Sequence, residues 1–239
     1  MSQVNVLAEN DTFEFDALRE AHQYRRGLLR EFGPFLGPRV LEIGAGIGQF
    51  TELLAGHPTV KTVLAIEPEA RFCTEFRRRL PALTVLQGTL QTASPPPAPP
   101  WDNIVSVNVL EHIEKDLQEL RDYHRLLQPG CGRLCLFVPA RPEVSAPIDK
   151  DFGHLRRYRR PELRQKLEQA GFRVQCLHYF NLIGYAGWWW TFCVLKRRRF
   201  SLGAVRLFDR VIFPIASRFE QQVVRPPIGQ SLIAIAEAG

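Results

Sequence analysis

Val40-Leu41-Glu42-Ile43-Gly44-Ala45-Gly46-Ile47-Gly48 is the stretch that decides the fold. A short apolar strand runs straight into a glycine-spaced turn, and a helix is expected from there to about Ala55. A strand that must turn at once into a helix facing a ligand needs residues without side chains. Any Cβ there blocks close approach or demands forbidden φ angles. The turn alone does not name the ligand, because nicotinamide enzymes use a similar one. The dinucleotide fingerprint Gly-x-Gly-x-x-Gly is not completed: Gln49 and Thr51 stand where its third glycine belongs.

Working outward, strands are expected at Thr62–Ile66, Leu83–Leu86, Ile104–Val107, Arg133–Val138, Phe172–Tyr179 and Ser231–Ala236. Helices are expected over residues 14–32, Glu69–Leu80, Leu110–Leu127 and Pro161–Ala170. Such alternation means a parallel sheet covered by helices on both faces. Ligands of these sheets sit outside the carboxyl ends of the strands, where strand order reverses. Glu67 closes the second strand, and a carboxylate there can accept both hydroxyls of a ribose. Ser94 to Pro100 is a stiff, proline-rich connector.

These segments together resemble the class I S-adenosylmethionine-dependent methyltransferases. Val40–Gly48 is similar to the family's first motif and Ala65-Ile66-Glu67-Pro68 to its second. Trp101–Ile113 resembles the fourth-strand motif, and Leu126–Gly132 the turn before strand five. The likeness is greatest to the small-molecule branch that contains quinone-biosynthesis enzymes. It implies a Rossmann-like α/β fold with a seven-stranded sheet, helices on both faces and S-adenosyl-L-methionine as cofactor, leaving S-adenosyl-L-homocysteine as product.

The resemblance also implies roles at matching positions. Glu42 and the turn Gly44, Ala45, Gly46 and Gly48 face the methionine end; Glu67 and Pro68 take the ribose. Gly88, Thr89 and Leu90 border the adenine, with Thr89 where the family often has an acid. Asn108, Val109 and His112 border the cofactor after strand four, and Tyr24 and Arg25 close over it from the preceding helix.

The segment Asp151-Phe152-Gly153-His154-Leu155-Arg156-Arg157-Tyr158 follows strand five and should hang over the site. Imidazole is the side chain suited to accept a proton near neutral pH, so His154 is the candidate base, with Tyr158 beside it. His154, Arg157, Tyr158 and Trp188 are the candidate acceptor contacts. The alternative for each is a loop-packing residue.

The expected organisation is a helical cap over residues 1–38, a cofactor domain over 39–180 and 230–239, and a helical insertion over 181–229. Trp188-Trp189-Trp190 precedes Lys196-Arg197-Arg198-Arg199 in that insertion. Rings beside a basic cluster suit either a lid walling an apolar pocket or contact with an anionic membrane. Both point to a small hydrophobic or amphipathic acceptor.

Composition narrows the classes further. The chain has 239 residues and a net charge of +6. Residues 1–150 carry 16 basic against 19 acidic side chains, and residues 151–239 carry 15 against 6. A basic carboxyl-terminal third suits an anionic partner. No amino-methylating Asn/Asp-Pro-Pro-Tyr/Phe motif or basic RNA-binding module is present, so nucleic acid is not expected as substrate. Five scattered cysteines show no zinc-ligand spacing, so no metal is expected. The amino terminus lacks a signal-peptide pattern, and the expected location is cytoplasmic, or peripheral at the inner face of a membrane. A nicotinamide oxidoreductase, a nucleic-acid methyltransferase and a non-catalytic membrane or assembly protein are the competing readings. Oligomeric state is not legible.

Overall fold

The computed structural model describes residues 20–197, 201–222 and 226–239. Part of the expected first helix (residues 14–19) and two arginines of the basic cluster (198 and 199) lie outside the described residues. The sheet strands are β1 Arg39–Ile43, β2 Thr62–Glu67, β3 Thr84–Gln87, β4 Asn103–Val107, β5 Arg133–Pro139, β6 Phe172–Phe180 and β7 Ser231–Ala238. Their spatial order is β3-β2-β1-β4-β5-β7-β6. Strands β1 to β5 pair in parallel, whereas β7 runs antiparallel to both β5 and β6. The expected seven-stranded sheet is thus parallel from β1 to β5 and closes on an antiparallel end. The chain leaves β6 and returns as β7 beside it, and neighbouring strands joined in that way pair antiparallel.

The helices are α1 His22–Phe32, α2 Gln49–Ala55, α3 Ala70–Arg79, α4 Asp116–Leu126, α5 Pro147–Asp151 and α6 Arg160–Gln169. The insertion adds α7 Leu182–Trp188, α8 Leu202–Leu207 and α9 Phe213–Gln222, with π-helical turns at Trp189–Val194 and Phe208–Ile212. Alternating strand residues feed two apolar layers. Leu41, Ile43 and Ile104 pack toward Leu120 and Tyr123 of α4 and Leu163 and Leu167 of α6. Val40, Val63 and Val105 pack toward Leu28 and Phe32 of α1, Phe50 and Leu54 of α2, and Phe213 of α9. At about 25 cal/mol per Å² of apolar surface, these two layers supply the main drive for folding.

One expected helix is corrected. Leu110–Leu127 is not continuous: a 3-10 turn spans Leu110–His112 and α4 begins at Asp116. The reason lies in the carbonyls. Glu111 gives its carbonyl to the Leu155 amide at 2.9 Å, and Glu114 gives its own to the Arg156 guanidinium at 3.1 Å. Acceptors captured by a distant loop cannot serve an i to i+4 ladder.

Candidate active site at the carboxyl ends of the strands

The strand order reverses between β1 and β4, which places a crevice beyond their carboxyl ends. The β1 turn enters it held by hydrogen bonds to β2 and by side chains packed behind it. Gly44 and Ala45 donate to the Ile66 carbonyl at 2.9 and 3.0 Å, clamping the turn to β2. Gly44 has φ +73°, and a Cβ there would stand 2.3 Å from Val109 Cγ2. Gly48 has φ +82° and would meet Leu80 and Phe76 at 2.6 and 2.7 Å. Gly46 also has a positive φ, +54°, but a Cβ there meets nothing within 4 Å. Two glycines thus admit protein packing from behind, and the middle one faces open space.

Two carboxylates flank that space. Glu67 Oε2 accepts from the Gly46 amide at 2.7 Å and Oε1 from the Glu69 amide at 2.9 Å. Both oxygens keep a second lone pair for a ligand. Burial raises the Glu67 carboxyl above its ordinary pKa, and the two amides oppose the shift. Glu42 is 2% exposed, and its Oε2 has no hydrogen-bond partner among the described residues. Burial pushes its carboxyl up to about 8. Pro68 is exposed between Glu67 and Glu69.

At the β3 turn, Gly88 adopts φ +139° and donates to the Glu67 carbonyl at 2.9 Å. The Thr89 hydroxyl lies 3.1 Å from that of Thr92, so it is engaged within its own loop. Leu90 packs on the larger apolar layer. After β4, Asn108 is exposed at φ +53° with its amide on the Phe137 carbonyl at 2.9 Å. Val109 backs Gly44.

Tyr24 and Arg25 take different surroundings. The Tyr24 ring packs against Phe137, Phe180 and Phe213 at 6.1, 5.5 and 5.0 Å, and burial pushes its hydroxyl up to about 12. That is an aromatic wall between α1 and the insertion. Burial lowers Arg25 to about 10, against the attraction of Asp209. The carboxylate of Asp209, 2% exposed in the insertion, receives the backbone amides of Gln23 and Tyr24 at 2.9 and 2.8 Å. Sequence reasoning missed Asp209, whose partners lie more than 180 residues away.

The loop after β5 is organised by Asp149, also missed. It is 2% exposed and receives the Ala146 amide at 2.8 Å, His154 Nδ1 at 3.0 Å and Arg157 Nη2 at 2.7 Å. Arg157 gives Nη1 to the Ala140 carbonyl at 3.1 Å and lies 4.5 Å over the Trp188 ring. Trp188 donates to the Val144 carbonyl at 3.0 Å. Arg157 and Trp188 are thus buried partners of each other and of the loop. The expectation that they contact an acceptor is corrected, since their polar atoms are consumed internally.

Tyr158 is corrected likewise. It is fully buried, with its hydroxyl 2.9 Å from Asp116 Oδ2 and 3.2 Å from the Leu110 carbonyl. Burial and the Asp116 charge raise its pKa far above the ordinary tyrosine range, which suits a structural donor and not a base. His154 differs. With Nδ1 on Asp149, its Nε2 faces Glu111 Oε1 at 3.9 Å, beyond hydrogen-bonding distance. The His112 ring stands edge-on at 4.9 Å, with Nδ1 3.2 Å from the Gly153 carbonyl. Glu111 is fully buried with both carboxylate oxygens unpartnered among the described residues, and burial pushes it up to about 8.

A model of the methyltransferase domain family matches residues 16–177. The chain belongs to the S-adenosylmethionine-dependent methyltransferases. This methyltransferase is 30% identical over 141 residues to a protein of Mycolicibacterium smegmatis named a probable S-adenosylmethionine-dependent methyltransferase, covering 58% of this chain and 53% of that one. It is 31% identical over 107 residues to the trans-aconitate 2-methyltransferase of Methylobacterium nodulans, covering 44% and 40%. The chain thus spans about half or less of the length of these curated relatives. Among solved structures, a methyltransferase from Thermotoga maritima superposes with TM-score 0.65 at 17% identity, covering 98% of both chains. One from Archaeoglobus fulgidus gives 0.56 at 16% identity, covering 87% and 90%. At these identities the structural likeness establishes the seven-stranded fold alone. The family's cofactor fits the residues present: Gly46 opens a cradle that a Cβ would enter, and the buried Glu42 oxygen awaits a donor.

Proposed function

We propose that the protein transfers a methyl group from S-adenosylmethionine to a small hydrophobic or amphipathic acceptor lying between the glycine cradle and the loop after β5. What supports this reading is His154, in the loop that follows β5, tied by Nδ1 to Asp149 with its Nε2 3.9 Å from Glu111 Oε1. The trans-aconitate enzyme among the relatives bears the name of a small acceptor.

The cofactor supplies a methyl group already activated on a sulfonium. The chain's own work is therefore to bind, align and dry the reactants. In this reading Glu67 accepts the sugar hydroxyls, beside Pro68, with the cradle Gly44, Ala45, Gly46 and Gly48 beneath. Glu42 takes the amino acid end. Gly88, Thr89 and Leu90 border the base, and Asn108, Val109 and His112 line the β4 side. Tyr24 and Arg25 close the amino-terminal edge. Arg157, Tyr158 and Trp188 position the loop that carries His154, and His154 engages the nucleophilic atom of the acceptor.

The insertion supports an apolar acceptor and a peripheral site of action. Leu207, Val211, Ile215 and Phe219 recur every fourth residue and are 56, 50, 68 and 65% exposed. Trp189 and Trp190 are exposed nearby, and Arg206, Arg210 and Arg218 flank the stripe. Such a face suits the surface of an anionic membrane. No helix among the described residues is long and apolar enough to cross one.

The test is methyl transfer from labelled cofactor to a panel of phenols, carboxylates and lipid-soluble acceptors. At least one acceptor should take up label. His154→Ala should lower turnover about a hundredfold while sparing affinity for S-adenosylhomocysteine. Unchanged turnover would remove His154 from the reaction, and no label in any acceptor would count against the reading. Sedimentation with phosphatidylglycerol vesicles checks the insertion: Ile215→Glu/Phe219→Glu should release the protein, and failure of the unaltered protein to sediment would refute membrane contact.

A further inference from the structure

We propose that Glu111, His112 and His154 form a binding site for one divalent transition-metal ion, of the Zn²⁺ class, on the acceptor side of the crevice. One carboxylate oxygen of Glu111 and one ring nitrogen from each histidine all lie within 4.8 Å of one another. Two imidazoles and one carboxylate are a donor set that suits zinc, and the same set with open positions suits ferrous iron.

Three observations carry the site beyond a chance cluster. First, Glu111 is fully buried and neither carboxylate oxygen has a hydrogen-bond partner among the described residues. A desolvated carboxyl without a donor is costly, and a cation set against it offsets that cost. Second, Glu111 Oε1 and His154 Nε2 stand 3.9 Å apart with no bond between them. Two lone-pair donors at that spacing fit around one ion, since metal–nitrogen and metal–oxygen bonds are about 2.0–2.2 Å long. Third, both rings are oriented from outside the cluster. His154 gives Nδ1 to the Asp149 carboxylate at 3.0 Å, and His112 Nδ1 lies 3.2 Å from the Gly153 carbonyl. A carboxylate or carbonyl behind a histidine is the arrangement that fixes a metal-binding imidazole and raises its basicity.

The arrangement has a route for entry, because His112 is exposed while Glu111 is buried and His154 is intermediate. Three protein ligands leave at least one coordination position open. Glu111 and His112 follow β4 directly, so the open position borders the crevice. There the ion, itself held by His154 Nε2, would hold an oxygen of the acceptor and favour its deprotonated form, so that with metal bound His154 acts on the acceptor through the ion and not directly. That last step rests on the reading of the crevice as a methyltransferase site; metal binding itself does not.

The experiment uses the full chain, freed of metal by dialysis against chelator and then titrated with Co²⁺ under visible absorption and with Zn²⁺ in competition. One equivalent of Co²⁺ should bind, with d–d bands that Zn²⁺ abolishes. His112→Ala, at an exposed position, should weaken binding at least a hundredfold, as should His154→Ala, while His57→Ala should leave it intact. S-adenosylhomocysteine affinity, measured on the unaltered protein with and without metal, reports the cofactor crevice separately. Metal binding without cofactor binding would keep the site and sink the enzyme reading; the reverse would keep the enzyme and sink the site. Absence of stoichiometric Co²⁺ binding, or wild-type binding by His112→Ala, would overturn the proposal.

Discussion

The two rims of the crevice are built from different materials. The rim proposed for the cofactor is mostly backbone: glycines at positive φ, amides turned onto Glu67, and a strand-to-strand clamp at Ile66. The rim proposed for the acceptor is side chains: Asp149 gathers His154 and Arg157, and Asp116 gathers Tyr158, Arg156 and Lys166. A backbone cradle is specified by a few adjacent residues and binds what every family member binds. A rim of buried ion pairs can be altered one side chain at a time, and that is where acceptor choice can vary.

The difference can be broken at either rim. Asp149→Ala should give the largest loss. It leaves the Arg157 guanidinium buried, 2% exposed at the side chain, without its carboxylate. Stability should fall by about 3–5 kcal/mol in denaturant unfolding, with much of it regained in an Asp149→Leu/Arg157→Met pair. Full stability of Asp149→Ala alone would mean that the pair does not hold the loop. Gly44→Ala comes next. A Cβ 2.3 Å from Val109 Cγ2, at φ +73°, should cost about 2–4 kcal/mol and abolish measurable cofactor binding.

Gly46→Ala sharpens the comparison, because its Cβ would meet no protein atom within 4 Å. The strain of positive φ alone should cost about 1 kcal/mol of stability, yet affinity for S-adenosylhomocysteine should fall more than tenfold. Equal losses in both would show that the middle glycine serves the fold and not the ligand.

The smallest effect concerns protons. Glu42, pushed up to about 8 by burial, is mostly protonated in the free protein at pH 7. A ligand ammonium settling beside it lowers that pKa, so binding releases a proton. Affinity should therefore rise as pH increases from about 6 to 8, by roughly tenfold or less, and level off above. Calorimetry in buffers of different ionisation enthalpy should detect the released proton in the native protein and none in Glu42→Gln.

The same contrast explains what could be read in advance. The turn at Gly44, Gly46 and Gly48 and the acid at Glu67 carry their reasons within a short stretch of chain. The strands around them were legible for the same reason. The acceptor rim was not. His154 stood out by type, but Asp149 has no signature in Pro147-Ile148-Asp149, and Glu111 meets His154 only through the fold. A basic or aromatic residue such as Arg157 or Tyr158 reads alike in sequence whether it faces a substrate or a buried carboxylate. The long helix expected from Leu110 failed because Leu155 and Arg156 take its first carbonyls. A metal cluster split between residues 111–112 and 154 likewise leaves no spacing to recognise.

The most direct test of the central claim is calorimetric titration of the folded protein with S-adenosylhomocysteine, run beside Glu67→Ala. The account predicts one site in the native protein and a loss of about tenfold to a hundredfold in the variant, the worth of hydrogen bonds to a charged group. No heat of binding to the native protein, or equal affinity in both, would contradict it.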